Sequence, residues 1–194
     1  MSAWRKSIVT YMDLVGIKDN ATYTDSRATD LMRRMHSLVD AQMSNEMRNH
    51  DHCYIWNDSV LLLAYLESPH HQTDENIILK EADKLKRRID KICPSYAISV
   101  KGQVFPDDSI SNPPVFNGQI SDQARVIRLK ASSYAMGNCF IIEKRLGKRI
   151  EKPWYIDGRI AKRLNTKTIC TKHRIKMLPR DKKRDIYAYD DYLW

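Results

Sequence analysis

At 194 residues, with 42% hydrophobic and 29% charged residues, the chain is sized and composed for one domain with its own core, which excludes a disordered or low-complexity protein. A surplus of 33 Lys and Arg over 24 Asp and Glu leaves a net charge of +9, suited to nucleic acid, an anionic membrane surface or a nucleoside triphosphate. No apolar run approaches the roughly 20 residues that span a bilayer, and Asp13 interrupts any signal-like core in MSAWRKSIVTYMDLVG, so a cytoplasmic protein with no membrane attachment is expected.

Residues 5–12, RKSIVTYM, alternate and are rich in β-branched and aromatic types, which predicts a strand. DLVGIKDN follows as a turn. From Thr24, the spacing of Ala28, Leu31, Met32, Met35, Leu38, Val39 and Met43 predicts an amphipathic helix, capped by Thr24, Asp25 or Ser26. Two short strands, 52–56 and 59–65, meet at Asn57-Asp58, a pair suited to a tight turn. A second helix spans 74–92 and stops at Pro94, and YAISVKGQVF (96–105) is a strand. PDDSISNPP (106–114) is a loop by composition, 119–135 a helix and 139–142 a strand. The order β-α-β-β-α-β-α-β predicts an α+β fold, a mixed and mainly antiparallel sheet flanked by helices. It forms a single domain over 1–194, with a basic C-terminal region from about residue 150.

Asp13 ends the first strand and Asp58 sits at the hairpin tip. If that strand lies beside the hairpin, the two carboxylates come side by side and suit hard divalent cations. The turn at Gly16 offers backbone N–H groups to phosphate oxygens. Spacing alone describes two turn-forming aspartates equally well.

The flanking residues add to this. YMDLVGIKD resembles the first signature of class III nucleotidyl cyclases, a strand ending in Asp before an apolar pair and Gly. YIWNDSVLL resembles their second, a hairpin with Asp at its tip; AISVKGQVF resembles a later strand, and GQISDQARVIRL the start of a helix. The four pieces stand in the family's order and cover about residues 5–142. The resemblance implies a class III cyclase-like fold with a ferredoxin-like core. It implies two divalent cations, Mn²⁺ or Mg²⁺, held by Asp13, Asp58 and the carbonyl of Leu14. It also implies a triphosphate bound by the amides of Leu14, Val15, Gly16, Ile17 and Lys18. The reaction would be in-line attack of the ribose 3′-oxygen on the α-phosphorus, with pyrophosphate leaving.

Two positions that read a purine in that family are Tyr54 and Val115 here. A phenol donates to a carbonyl or stacks on a base, which suits a pyrimidine; packing on strand neighbours is the simpler role for Tyr54. In this the chain resembles the pyrimidine cyclases of bacterial antiphage defence (Pycsar). That implies cyclic UMP from UTP, or cyclic CMP from CTP, with UTP favoured because uracil offers carbonyl acceptors. It also implies a homodimer with active sites at the interface, and an effector that answers to the product and not to direct contact. The family's helix carries an Asn and, four residues on, an Arg that stabilises the transition state; Asp122 and Val126 stand there, leaving Arg125 or Arg128 to supply the cation. Gln103 replaces a further Arg, for which Lys101 compensates, and Lys162 stands near a phosphate-binding position.

Other groupings carry less. His50-Asp51-His52-Cys53 alternates across a strand and lacks a second ligand pair. Cys53, Cys93, Cys139 and Cys170 lie apart and are expected as reduced thiols. His70-His71 is a solvated loop, and the Met-rich stretch 31–47 is core or dimer packing. Between Arg159 and Arg184, eleven Lys or Arg accompany one acid, Asp181. This keeps open a second expectation, a cyclase-like nucleic-acid-binding module without catalysis, although no interleaved aromatics support it.

Overall fold

The computed structural model describes residues 4–17, 26–67, 74–106, 131–147, 150–166, 168–177 and 183–194. Alternation in RKSIVTYMDL makes β1 (Arg5–Leu14), a strand covered on both faces. Ile8, Met12 and Leu14 enter one core, Val9 and Tyr11 the other. A helix, α1 (Ser26–Asn45), leads to the hairpin of β2 (His52–Trp56) and β3 (Ser59–Tyr65). The second helix, α2 (Glu75–Asp90), starts at the Asp74 side chain, which accepts from the Asn76 N–H, and leads to β4 (Ser95–Pro106). Then come β5 (Ala131–Ser133), α3 (Tyr134–Leu146), β6 (Trp154–Asp157), the single turn α4 (Gly158–Ala161), β7 (Cys170–Lys176) and β8 (Lys183–Tyr189).

The sheet runs β2-β3-β1-β4-β6-β8-β7, with β5 on β4. Every pairing is antiparallel except β4 with β6. The first six elements place β1 in the middle, between β3 and β4, as a ferredoxin-like half requires. On one face lie α1 and α2, whose Met35, Val39, Ile78, Leu79, Ala82, Leu85 and Ile89 are buried against Ile8, Met12, Val60 and Leu62. Truncating one of the large residues to Ala would cost about 2–5 kcal/mol. On the other face lies α3, buried through Ala135, Met136, Cys139, Ile142 and Leu146. It comes close because Gly102 has no side chain: a Cβ there would stand 2.8 Å from that of Ala135.

The structure corrects one stretch of the sequence reading. The helix expected over 119–135 lies outside the described residues up to 130; from there, 131–133 is strand and helix begins only at Tyr134. The strand expected over 139–142 is helical. The run Cys-Phe-Ile-Ile is apolar enough for a buried strand, and short runs of that kind do not declare their period. The wider spacing from Ala135 to Leu146 supplies a helical stripe, and the Ser133 side chain caps it by accepting from the Met136 N–H at 3.0 Å. The basic end, weakly patterned in sequence, adds β6, β7 and β8 to the sheet. Among the described residues no helix is long and apolar enough to cross a membrane.

Candidate active site

Asp13 is the penultimate residue of β1, flanked across the sheet by Ser59 of β3 and Tyr96 of β4. Asp58 follows Asn57 in the two-residue turn between β2 and β3. Asn57 takes a φ of +48°, left-handed backbone that Asn tolerates better than most residues. His36 of α1 braces the tip, with its Nε2 2.7 Å from the Asn57 carbonyl. The Leu14 N–H donates to the Asp58 carbonyl at 3.1 Å, so the end of β1 and the tip of the hairpin are tied together. Both aspartates are buried, Asp13 at 6% and Asp58 at 8% exposure. Burial pushes the Asp13 carboxyl above its ordinary range, the charges of Asp58 and Glu143 push the same way, and hydrogen bonds from Ser59 and Tyr96 oppose them. Among the described residues neither aspartate has a Lys or Arg within ion-pair distance.

Strand alternation sets the surroundings of Asp13. Trp56, Ser59, Asp13 and Tyr96 form one row across β2, β3, β1 and β4, on the face that α3 covers. Ser59 Oγ donates to Asp13 Oδ1 at 2.6 Å, and the Tyr96 hydroxyl stands 3.0 Å from Oδ2. That hydroxyl is 2.6 Å from Glu143 Oε1 on α3. The Tyr11 hydroxyl lies 3.2 Å from Ser59 Oγ and 3.5 Å from the same Glu143 oxygen. Burial pushes both tyrosine hydroxyls well above the usual phenol range, so they are donors. Beside them stands an aromatic wall: Tyr11 lies 6.2 Å from Trp56 and 5.3 Å from Phe140, which is 40% exposed. Tyr54 belongs to the next row, opposite Leu61, on the same face and half-buried, with its phenol also raised by burial.

The expected phosphate-binding turn is partly spent. The Leu14 and Val15 amides donate to the backbone carbonyls of Asp58 and Pro94, the latter at 2.8 Å. Gly16 makes the turn with a φ of +81°, and Ile17 is buried in the core. Beside it a cleft of about 320 Å³ is lined by Val15, Gly16, Arg27, Leu31, Cys93 and Pro94.

Lys101 is parted from this group. It lies five residues further along β4 than Tyr96, roughly 16 Å, on the opposite face, and its ammonium is 2.5 Å from Glu75 of α2. Strand alternation alone forbids it from sharing the face of Asp13. Gln103 sits still further along β4, opposite Lys6, and Lys162 caps α4. Lys18, Val115, Asp122, Arg125, Val126 and Arg128 lie outside the described residues. His50 is buried 3.1 Å from Glu81, and Asp51 accepts from the Tyr65 N–H. The polar shell of Asp13 escaped the sequence reading. Ser59 and Tyr96 were open to it, because once β1 is placed between β3 and β4 the register puts them beside Asp13. Glu143 was not, because the helix that brings it there is hidden by the apolar run at 139–142.

No protein-family model matches the chain, and no curated protein sequence matches it. Solved structures do. The adenylyl cyclase CyaB from P. aeruginosa superposes over 98% of this chain and 96% of its own, with a TM-score of 0.61 at 13% identity. A bacterial light-regulated adenylyl cyclase gives 0.62 at 10%, over 97% of this chain and 91% of its own. The guanylate cyclase domain of RhGC from Catenaria anguillulae, solved in complex with GTP, gives 0.51 at 8%, over 97% of each chain. At such identities the likeness speaks for the fold, and the fold is that of class III cyclase domains.

Proposed function

We propose that this chain is a metal-dependent nucleotidyl cyclase, residues 1–194 forming one catalytic domain, that converts a pyrimidine nucleoside triphosphate into its 3′,5′-cyclic monophosphate and pyrophosphate. The observation that carries it is the tie between the end of β1 and the β2–β3 tip, which holds Asp13 and Asp58 together, buried and without a basic partner among the described residues. That donor set fits a divalent cation. Two like charges held out of water need a compensating cation, and oxygen ligands suit Mg²⁺ or Mn²⁺.

Asp13, Asp58 and the Leu14 carbonyl would hold the cations. When bound, they supply activation of the ribose 3′-hydroxyl and charge neutralisation on the triphosphate. Ser59, donating to Oδ1, orients Asp13. The turn at Gly16 and Ile17, with Lys18, receives phosphate beside the neighbouring cleft. Tyr54 faces the base, and its phenol favours the carbonyl acceptors of UTP; CTP is the alternative substrate. For the transition-state cation, Arg125 and Arg128 remain the candidates. Phe140 and Tyr134, exposed on α3, support a homodimer that covers this face. By the resemblance to antiphage cyclases, the product is a second messenger for a separate effector.

Purified protein with Mn²⁺ and ATP, GTP, CTP or UTP in turn is expected to yield a cyclic pyrimidine monophosphate by mass spectrometry. Absence of a cyclic product from all four sinks the proposal; a purine product removes the role of Tyr54 alone.

A further inference from the structure

Glu143 has no role in the reaction just proposed, yet it is the one residue of α3 in the polar cluster around Asp13. Five groups close a ring: Glu143 to the Tyr96 hydroxyl, on to Asp13, to Ser59, to the Tyr11 hydroxyl, and back to Glu143. The ring ties together β1, β3, β4 and α3. The Tyr96 hydroxyl has a single hydrogen and two carboxylates within reach. It is nearer Glu143, at 2.6 Å, than Asp13, at 3.0 Å. A hydrogen given to Glu143 is not given to Asp13 Oδ2, and that oxygen keeps its electron pairs for a cation. Glu143 Oε1 is also within 3.5 Å of the Tyr11 hydroxyl. The start of β4 is itself pinned, so Tyr96 has little freedom to seek another acceptor. Asp90 accepts from the Ser95 N–H and hydroxyl at 2.8 and 2.6 Å, and the buried Lys86 bridges Asp90 and the Ser95 carbonyl.

We infer that Glu143 is a positioning residue for Asp13: it draws the Tyr96 hydroxyl towards α3 and leaves Oδ2 of Asp13 open to a divalent cation. The inference rests on the metal-dependent reading and deepens it. Partners one shell away from a metal commonly tune its affinity 10–100-fold. Without an acceptor at position 143, Tyr96 donates wholly to Asp13 and competes with the cation for the same oxygen.

The test is a titration of the full-length protein with Mn²⁺ alone, followed by electron paramagnetic resonance of the free ion, alongside the Mn²⁺ concentration that half-saturates turnover. Glu143→Met, which keeps helix propensity and bulk but not the acceptor, is expected to weaken Mn²⁺ about tenfold. Glu143→Gln keeps an acceptor oxygen and is expected to stay within about twofold of the parent, which guards against a Met variant that fails to fold. Tyr96→Phe removes the competing hydrogen, so Tyr96→Phe/Glu143→Met is expected to bind like Tyr96→Phe alone. Equal losses in the Met and Gln variants, with no suppression by Tyr96→Phe, would show a general effect of negative charge and overturn the inference. So would unchanged Mn²⁺ dependence in Glu143→Met with an active parent. A parent that neither binds Mn²⁺ nor turns over would instead overturn the cyclase reading beneath it.

Discussion

Glu75 and Asp157 are buried as deeply as Asp13 and Asp58, yet each meets basic side chains. Lys101 lies 2.5 Å and Arg163 3.3 Å from Glu75; Arg159 lies 2.5 Å and Arg184 3.6 Å from Asp157. Around Asp13 the described neighbours are hydroxyls and the carboxylates of Asp58 and Glu143. A carboxylate out of water is costly unless paired, and the start of α2 and the end of β6 follow that rule. The end of β1 departs from it, and under the proposed function that departure reserves charge for a cation supplied from outside. The two regions should therefore fail differently under substitution.

The largest contrast is in catalysis. Asp58→Asn is expected to lower turnover on the order of 10³-fold, the scale of several kcal/mol of lost charge stabilisation, while its thermal midpoint holds or rises. Arg125→Ala set against Arg128→Ala should single out one arginine whose loss costs about 10²-fold in kcat; equal and small effects from both would leave the site without its cation. Lys101→Met should do the reverse of Asp58→Asn. Glu75 would lose its closest partner and keep the more exposed Arg163, a loss of about 2–3 kcal/mol in urea unfolding, with kcat unchanged. A loss of turnover in folded Lys101→Met would bring that lysine back to the substrate.

These outcomes turn on distinctions the sequence carried unevenly. The ferredoxin-like half was legible because each of its segments declares a period: alternation in β1, three-and-four spacing in α1 and α2, and a turn pair at Asn57-Asp58. The segment from 131 to 146 was not, because Cys-Phe-Ile-Ile hides its period when read alone. Asp13 and Asp58 were legible through their flanking motifs, as positions only. What separates them from Glu75 and Asp157 is the identity of neighbours brought from distant segments: Tyr96 and Glu143 in one case, Lys101 and Arg163 in the other. Glu143 follows directly on the run 139–142 that conceals the helix, and the alternation of β4 sets Lys101 on the face opposite Asp13.

The comparison also has a pH signature. The Asp13 carboxyl is raised in the folded protein, chiefly by burial, so its ionised form is disfavoured there relative to the unfolded chain. A group raised in this way contributes stability at low pH, and that contribution is lost as pH climbs from the ordinary value of 3.8 through the raised one. Metal-free protein should therefore lose part of its stability as pH rises through this window, and Asp13→Asn should flatten that part of the curve. Urea midpoints in chelator at several pH values would check it. Parallel curves for parent and variant would mean that Asp13 carries no buried charge. Adding Mn²⁺ to the parent should recover the loss at higher pH, because the cation binds the ionised form.

The smallest expected effect concerns the choice of base. Tyr54 is half-buried on β2, on the face of Asp13, with its ring 6.4 Å from that of His52. Its aromatic body packs against the core beneath α3, so a change confined to the hydroxyl should leave folding alone. If that hydroxyl donates to a pyrimidine carbonyl, Tyr54→Phe removes one hydrogen bond worth about 1 kcal/mol and lowers kcat/KM for UTP roughly fivefold. The effect should be larger for UTP than for CTP if the contacted carbonyl is the one that cytosine replaces with an amine, and equal for both if it is the carbonyl they share. Competition assays with the two nucleotides in one tube read that ratio directly. An unchanged ratio together with unchanged kcat/KM would return Tyr54 to the role of a strand tyrosine packed on its neighbours. The pyrimidine reading would then lose its support, because the aromatic wall of Trp56 and Phe140 stacks on a base without reading its edge.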